Sequence, residues 1–110
     1  MRTQTKESQT AMTKESIINL LKEGNERFQN NIKADRNLSQ QVAQTSTGQF
    51  PFAAVLSCID SRVPAEIVFD QGIGDIFSAR IAGNFVNDDI LGSLEFACKV
   101  AGSKVIVVLG

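Results

Sequence analysis

Three short apolar segments alternate with helical patterns in the second half of the chain. The segments are residues 52–59 (FAAVLSCI), 75–83 (DIFSARIAG) and 104–110 (KVIVVLG). The first has the composition of a strand that is buried on both faces, and the third is β-branched throughout its middle. Residues 61–72 and 87–102 lie between the segments and have the spacing and end signals of helices. Strands that alternate with helices predict an α/β fold with a parallel sheet and flanking helices.

The first half of the chain has a different character. Residues 1–12 are polar and predict a flexible N-terminus. Thr13 has the character of an N-cap, and the apolar residues that follow it recur at helical spacing to about residue 29. A second, weaker helical pattern leads to Gly48. The sequence therefore predicts an N-terminal helical arm over residues 13–47 and an α/β core over residues 48–110.

The composition excludes several classes of function. The chain has 110 residues and a net charge of −1, so it presents no field that would attract nucleic acid or an anionic membrane. It has no apolar run near the ~20 residues of a membrane helix, and its N-terminus lacks the apolar core of a signal peptide. Two cysteines are too few for a disulfide framework, and a cytoplasmic location with reduced thiols is expected. Because the chain has no histidine, it cannot supply a Cys-His catalytic pair or a histidine metal ligand by itself.

A thiol, a carboxylate and a guanidinium follow the first predicted strand. Cys58, Asp60 and Arg62 occupy alternate positions, so in an extended segment they point the same way. Arg62 could hold Asp60 ionised, and a nearby cation favours the thiolate form of Cys58. These groups suit a zinc site with an acid/base group in reach. The same residues are also compatible with a buried core cysteine followed by two solvated loop residues.

Longer motifs connect this cluster to a known family. The segments CIDSRVPAE, FDQGIGDIFSARIAGN, GSLEFACKVAGSKVIVVLG and LLKEGNERF resemble the β-class carbonic anhydrases, from about residue 13 to the end. The resemblance implies reversible hydration of carbon dioxide to bicarbonate by zinc-bound hydroxide. It also implies zinc as the cofactor and a homodimer or a higher homo-oligomer.

The resemblance assigns roles to the cluster. Cys58 matches a zinc ligand. Asp60 matches an aspartate that accepts a hydrogen bond from the zinc-bound hydroxide, and Arg62 matches the arginine that orients it. In some relatives the aspartate moves onto zinc in a closed state, so Asp60 is also a candidate ligand.

The resemblance also implies substrate-binding residues. Gln49 matches a glutamine that donates to bicarbonate in the plant-like subtype. Phe77 and Ala82 match apolar residues of the carbon dioxide pocket, which are often presented across a dimer interface. Val55 stands where the allosteric subtype has tryptophan, which favours the plant-like reading. Ile81 departs from the asparagine that relatives usually have.

The family completes its zinc site with a His-x-x-Cys motif directly after the strand that matches residues 104–110. That motif and the family's fourth strand lie outside the 110 residues, so the sequence looks truncated just before them. Cys98 matches a packing residue and is not expected to replace a ligand. The chain alone is therefore expected to be inactive. A non-catalytic remnant, or an assembly module that pairs with itself or with a full-length copy, is the alternative.

Two further expectations concern structure. The third strand would form an exposed apolar edge through which chains could associate. Asp75 and Arg80 are expected to form a structural pair.

Overall fold

The computed structural model describes residues 2–110 and contains an α/β fold, as the sequence predicts. Helices flank a three-stranded sheet, and the last helix, α5, continues into a π-helical turn. The elements in chain order are α1 (Lys6–Ala11), α2 (Lys14–Gln29), α3 (Leu38–Gln44), β1 (Ala53–Ser57), α4 (Ala65–Val68), β2 (Ile76–Arg80), α5 (Asp88–Glu95), the π-helical turn (Phe96–Val100) and β3 (Val105–Val108).

All strand pairs in the sheet are parallel, and the strand order is β2-β1-β3. The central strand β1 is buried along its whole length, which explains its continuous apolar sequence. Among residues 2–110, β3 pairs with β1 only, so its other edge is open. The parallel arrangement brings the carboxyl ends of all three strands to one edge of the sheet.

The two faces of the sheet pack against different helices. On one face, Ile17 and Leu21 of α2 and Ala65 of α4 form a buried cluster with Val55. On the other face, Ala54 packs with residues of α5 and the π-helical turn. Cys98, expected to be a packing residue, lies in that turn and is half-buried.

The segment before α2 differs from the flexible N-terminus that the polar sequence predicts. Residues 6–11 form α1, which Thr5 caps. The buried Gln9 side chain donates hydrogen bonds to the carbonyl oxygens of Pro51 (2.9 Å) and Ala101 (2.7 Å). Lys104 donates from Nζ to the Thr10 carbonyl oxygen at the end of this helix. Because Pro51 and Lys104 precede β1 and β3, α1 lies across the amino end of the sheet.

Helix α2 begins after Thr13, as the sequence predicts, and its position depends on a glycine. Thr13 and Ser16 form a capping box. At Gly24, an added Cβ would lie 1.7 Å from the carbonyl oxygen of Phe69. The absence of a side chain therefore allows α2 to approach the end of α4 closely.

Asp70 connects the helical arm to the core. This residue follows α4, is buried and has a positive φ of 46°. Its carboxylate accepts hydrogen bonds from Arg27 of α2, from the Ala34 amide (2.9 Å) and from Arg36 Nη1 (2.7 Å). Both arginines also donate to the Asp70 carbonyl oxygen. These contacts fix α2 and the loop before α3 to the segment between α4 and β2.

None of the helices within residues 2–110 has both the length and the apolar character needed to cross a membrane.

Candidate active site

The Cys58–Arg62 cluster lies at the carboxyl end of β1. Cys58 is the first residue after the strand, and the chain turns through residues 61 and 62 before α4 begins. The Val63 amide donates to the carbonyl oxygen of Asp60 (3.3 Å), which closes this turn. In parallel sheets, functional residues commonly lie at the carboxyl ends of the strands.

Arg62 holds the Asp60 carboxylate through three hydrogen bonds. Nε donates to Oδ1 (3.0 Å), Nη2 donates to Oδ2 (2.6 Å), and the Arg62 amide donates to Oδ1 (2.9 Å). The Arg62 side-chain bonds, followed by the amide bond, hold the pKa of Asp60 well below its usual range. Because the Arg62 side chain is 85% exposed, this pair contributes little to stability. Its effect is to fix the orientation of the ionised Asp60 carboxylate.

The environment of Cys58 favours its thiolate. The Gly83 amide donates to Sγ at 3.3 Å, and this hydrogen bond is the main cause that lowers the pKa of the thiol. A second backbone hydrogen bond, from the Asp60 amide, acts in the same direction. Gly83 has a φ of 81°, a conformation that other residues rarely adopt. The turn after β2 therefore supplies the group that polarises the thiol.

Arg80 contacts this cluster and not Asp75, so the predicted Asp75–Arg80 ion pair is wrong. Asp75 precedes β2 and Arg80 ends it, which separates the two residues by the length of the strand. Asp75 instead accepts hydrogen bonds from the Gly72 amide (2.7 Å) and from Gln4 (3.2 Å). Arg80 donates from Nε to the Cys58 carbonyl oxygen (2.9 Å) and from Nη2 to the Asp60 carbonyl oxygen (2.6 Å).

The turn over residues 81–84 connects the ends of the three strands. The Ile81 amide donates to the carbonyl oxygen of Ser57 at the end of β1 (3.0 Å). The Asn84 side chain donates to the carbonyl oxygen of Leu109, just after β3 (3.2 Å). Ile81, the departure from the family pattern, therefore takes part in this network through its backbone.

The predicted substrate-binding residues do not all lie near Cys58. Ala82 is exposed and stands next to Gly83, so it shares the strand-end edge with the thiol. Gln49 is exposed and precedes β1, whereas Cys58 follows it, so the two residues lie at opposite ends of that strand.

Phe77 is the second residue of β2, where it pairs in register with Ala54. Its ring makes an edge-to-face contact with Phe96, with the centroids 6.2 Å apart. Both rings line a cavity of about 540 Å³ between β2 and α5. The rest of its lining is mixed: apolar residues such as Ala79, Leu94 and Ala97 and polar residues such as Ser78, Asp88, Asp89 and Ser93.

The donor set for zinc is partial. Cys58 offers a thiolate and Asp60 a carboxylate, and both groups are zinc ligands in proteins. The chain has no histidine, and residues 2–110 contain no group of three or more potential acidic, cysteine or histidine ligands. The chemistry of Cys58 fits a zinc ligand, but a tetrahedral site needs donors beyond those of this cluster.

Sequence reasoning missed two members of the site. Arg80 and Gly83 contact Cys58 from a segment more than 20 positions away, and neither contact follows from a local pattern. The glycine in the segment IAGN was the one available signal, because glycine after a strand indicates a turn with unusual backbone angles.

Comparisons with known proteins agree with the motifs. The family model described as carbonic anhydrase matches residues 53–110. The chain is 48% identical over 93 residues to carbonic anhydrase 2 of Mycobacterium tuberculosis, covering 82% of this chain and 44% of that protein. It is 44% identical over 92 residues to the carbonic anhydrase of Mycolicibacterium smegmatis, with the same coverage. The chain thus spans less than half the length of these relatives.

The fold matches as well. One of two tetrameric β-carbonic anhydrases from the filamentous ascomycete Sordaria macrospora superimposes with a TM-score of 0.61 and 25% identity, covering 84% of this chain and 45% of that one. The family match, the identity to curated relatives and the shared fold lead to one conclusion: this chain belongs to the β-class carbonic anhydrase family.

Proposed function

We propose that this chain contributes Cys58, Asp60 and Arg62 to a zinc site that reversibly hydrates carbon dioxide to bicarbonate. The observation that carries the proposal is the arrangement at the end of β1. A thiol that accepts a hydrogen bond from Gly83 lies two residues from a carboxylate that Arg62 clamps. Family membership supplies the reaction to which such a site belongs.

In this proposal, Cys58 is one of the groups that would hold zinc. Zinc, when bound, lowers the pKa of a coordinated water to about 7 and so makes a nucleophile available at neutral pH. Asp60 is ionised at neutral pH, and Arg62 lowers its pKa further, so the carboxylate can accept a hydrogen bond from the attacking water. Arg62 fixes the direction of that acceptor and prevents the carboxylate from rotating.

The same proposal includes a homo-oligomer. Gln49 lies at the opposite end of β1 from Cys58, so one copy of the chain cannot place both residues around one substrate molecule. We infer that Gln49 and the cavity beside Phe77 serve the Cys58 site of a second copy. Carbon dioxide is small and neutral, and the apolar part of that cavity, around Phe77 and Phe96, suits it, whereas Asp88 and Asp89 line the polar part.

We further propose that the 110-residue polypeptide alone does not catalyse the hydration of carbon dioxide. Two donors cannot form the open tetrahedral site that hydration needs. The remaining ligands would come from a segment that matches the His-x-x-Cys motif of the family.

The proposal can be tested with a fused protein. In this protein, Gly110 is followed by the segment that comes after the strand matching β3 in the Mycobacterium tuberculosis relative. We expect zinc-dependent hydration in a stopped-flow assay, and the Asp60→Asn variant should lose activity by about 10²–10⁴-fold because the ionised acceptor is removed. Glu23→Gln, an exposed carboxylate-to-amide change on α2, should leave the rate unchanged. Undiminished activity of Asp60→Asn, or turnover by the 110-residue chain itself, would contradict the proposal.

A non-catalytic assembly module is a second candidate, and the open edge of β3 favours it. Ile106 and Val108 are 47% and 62% exposed, although they belong to a strand. Along this strand, the charge that could discourage pairing is at Lys104, just before the first residue. A strand with an apolar exposed face and an unpaired edge can recruit another strand.

We therefore expect the 110-residue chain to self-associate through β3. Light scattering over a range of concentrations should give a mass above that of the monomer. Replacing both Ile106 and Val108 with lysine should shift the chain to monomer, because charge on the exposed face opposes strand pairing. Ile32→Lys, at a loop residue that is 64% exposed, is the matched control and should not change the mass. A monodisperse monomer for the unmodified chain would refute this expectation.

A further inference from the structure

We propose that Arg80 is the positioning residue that fixes the Cys58–Asp60 turn to the sheet. The reason why this turn would need to be held in place rests on the proposed function. The evidence that Arg80 holds the turn is two hydrogen bonds. Arg80 donates from Nε to the Cys58 carbonyl oxygen (2.9 Å) and from Nη2 to the Asp60 carbonyl oxygen (2.6 Å).

These two carbonyl groups lie on either side of Ile59. The Ile59 side chain is 60% exposed, so packing of that residue contributes little to holding the turn in place. A guanidinium is planar and presents its donors in a fixed fork, so one side chain can fix two acceptors relative to each other. Arg80 therefore restrains the backbone at both ends of the segment that carries the proposed zinc ligand and the proposed acceptor.

The two arginines of the site differ in what they hold. Arg62 binds the Asp60 carboxylate from two positions along the same turn, and its side chain is 85% exposed. It orients the carboxylate but does not attach the turn to another element. Arg80 is half-buried and ends β2, where it pairs in register with Ser57, the last residue of β1. It therefore links the turn to a paired strand of the sheet.

The geometry of the thiol depends on this link. The Gly83 amide reaches Cys58 Sγ at 3.3 Å, and Gly83 follows Arg80 by three positions in the turn after β2. Arg80 thus holds the two sides of that contact together, because its backbone belongs to one side and its side chain binds the other. A lysine at this position could donate to one of the two carbonyl groups but could not reproduce the fork.

Hydrogen exchange of backbone amides, followed residue by residue in the 110-residue chain, tests the inference. The Val63 amide, which donates to the Asp60 carbonyl oxygen, and the Gly83 amide report on the turn. The Phe52 and Leu109 amides, which donate to the backbone carbonyl oxygens of Asp75 and Leu56, report on the sheet. Arg80→Met should accelerate exchange at Val63 and Gly83 by about 10-fold or more and leave the sheet amides within about 2-fold.

Two further variants separate positioning from general support of the fold. Arg80→Lys should recover part of the protection at Val63 and Gly83, because one hydrogen bond can be kept. Arg62→Met should leave the protection of both amides unchanged, since it releases only the carboxylate. Unchanged exchange in Arg80→Met, or equal acceleration of turn and sheet amides, would overturn the inference. The experiment involves neither zinc nor carbon dioxide, so its failure is distinguishable from failure of the proposed function.

Discussion

Replacing Asp70 with asparagine is expected to lower the free energy of unfolding by about 3–5 kcal/mol. The Asp70 carboxylate is 9% exposed and the Arg36 side chain 7% exposed, so the charges are largely withdrawn from water. Asparagine would remove the negative charge and leave Arg36 buried without its ionic partner. It would also remove one of the two acceptor oxygens that Arg27, Arg36 and the Ala34 amide share.

Denaturant unfolding of Asp70→Asn measures this loss directly. Glu23→Gln, a carboxylate-to-amide change on the exposed face of α2, is the control and should change stability by less than about 0.5 kcal/mol. A loss for Asp70→Asn as small as that of the control would show that the charge cluster does not stabilise the fold.

The same residue predicts how stability depends on pH. Burial tends to raise the pKa of Asp70, but hydrogen bonds from Arg27, the Ala34 amide and Arg36 outweigh it and lower the pKa to about 2. Because the pKa is lower in the folded state, the carboxylate stabilises the protein at any pH above the pKa of the unfolded state, which is about 4. This contribution is lost as the pH falls towards about 2. The stability difference between the unmodified chain and Asp70→Asn should therefore shrink between about pH 4 and pH 2, and a constant difference would contradict the assignment.

The 110-residue chain is expected to bind zinc at least about a thousandfold more weakly than the fused protein. In the proposed site Cys58 would be the thiolate donor, and Asp60 is engaged by Arg62 through both carboxylate oxygens. Recruitment of Asp60 as a ligand would compete with those hydrogen bonds. Competition with a chromophoric zinc chelator would measure both affinities, and Cys98→Ser in the 110-residue chain is the matched control because Cys98 is not a proposed ligand. Equal affinities for the two proteins would contradict the expectation.

The sequence predicted those helices and strands that depend on residues close to one another along the chain. Helix α2 begins after Thr13 because the Thr13 side chain accepts a hydrogen bond from the Ser16 amide. Both residues lie within four consecutive positions, so a local pattern reveals the cap. The burial of β1 follows from its unbroken apolar run, and the parallel sheet follows from the alternation of strands and helices. The position of Cys58, Asp60 and Arg62 at a strand end followed from the end of the apolar run. The contact between Asp60 and Arg62 was expected from an extended segment, but it forms within a turn.

Distant hydrogen bonds explain what the sequence could not predict. Helix α1 is polar and short, and it is held by Gln9 and Lys104 contacts that span 42 to 94 positions. Arg80 and Asp75 are close in sequence, which suggests a pair, but the strand between them separates their side chains. The resemblance placed Gln49 near the substrate, and only the fold shows that it lies at the other end of β1 from Cys58 in the same chain.

Zinc content per chain is the most direct test of the central claim, that Cys58 and its neighbours form part of a zinc site that needs further ligands. Elemental analysis would compare three proteins, each prepared without metal, reloaded with one equivalent of zinc and then desalted. The fused protein should retain close to one zinc, whereas the fused Cys58→Ala variant and the 110-residue chain should retain almost none. Stoichiometric zinc in the 110-residue chain, or in the fused Cys58→Ala variant, would contradict the account.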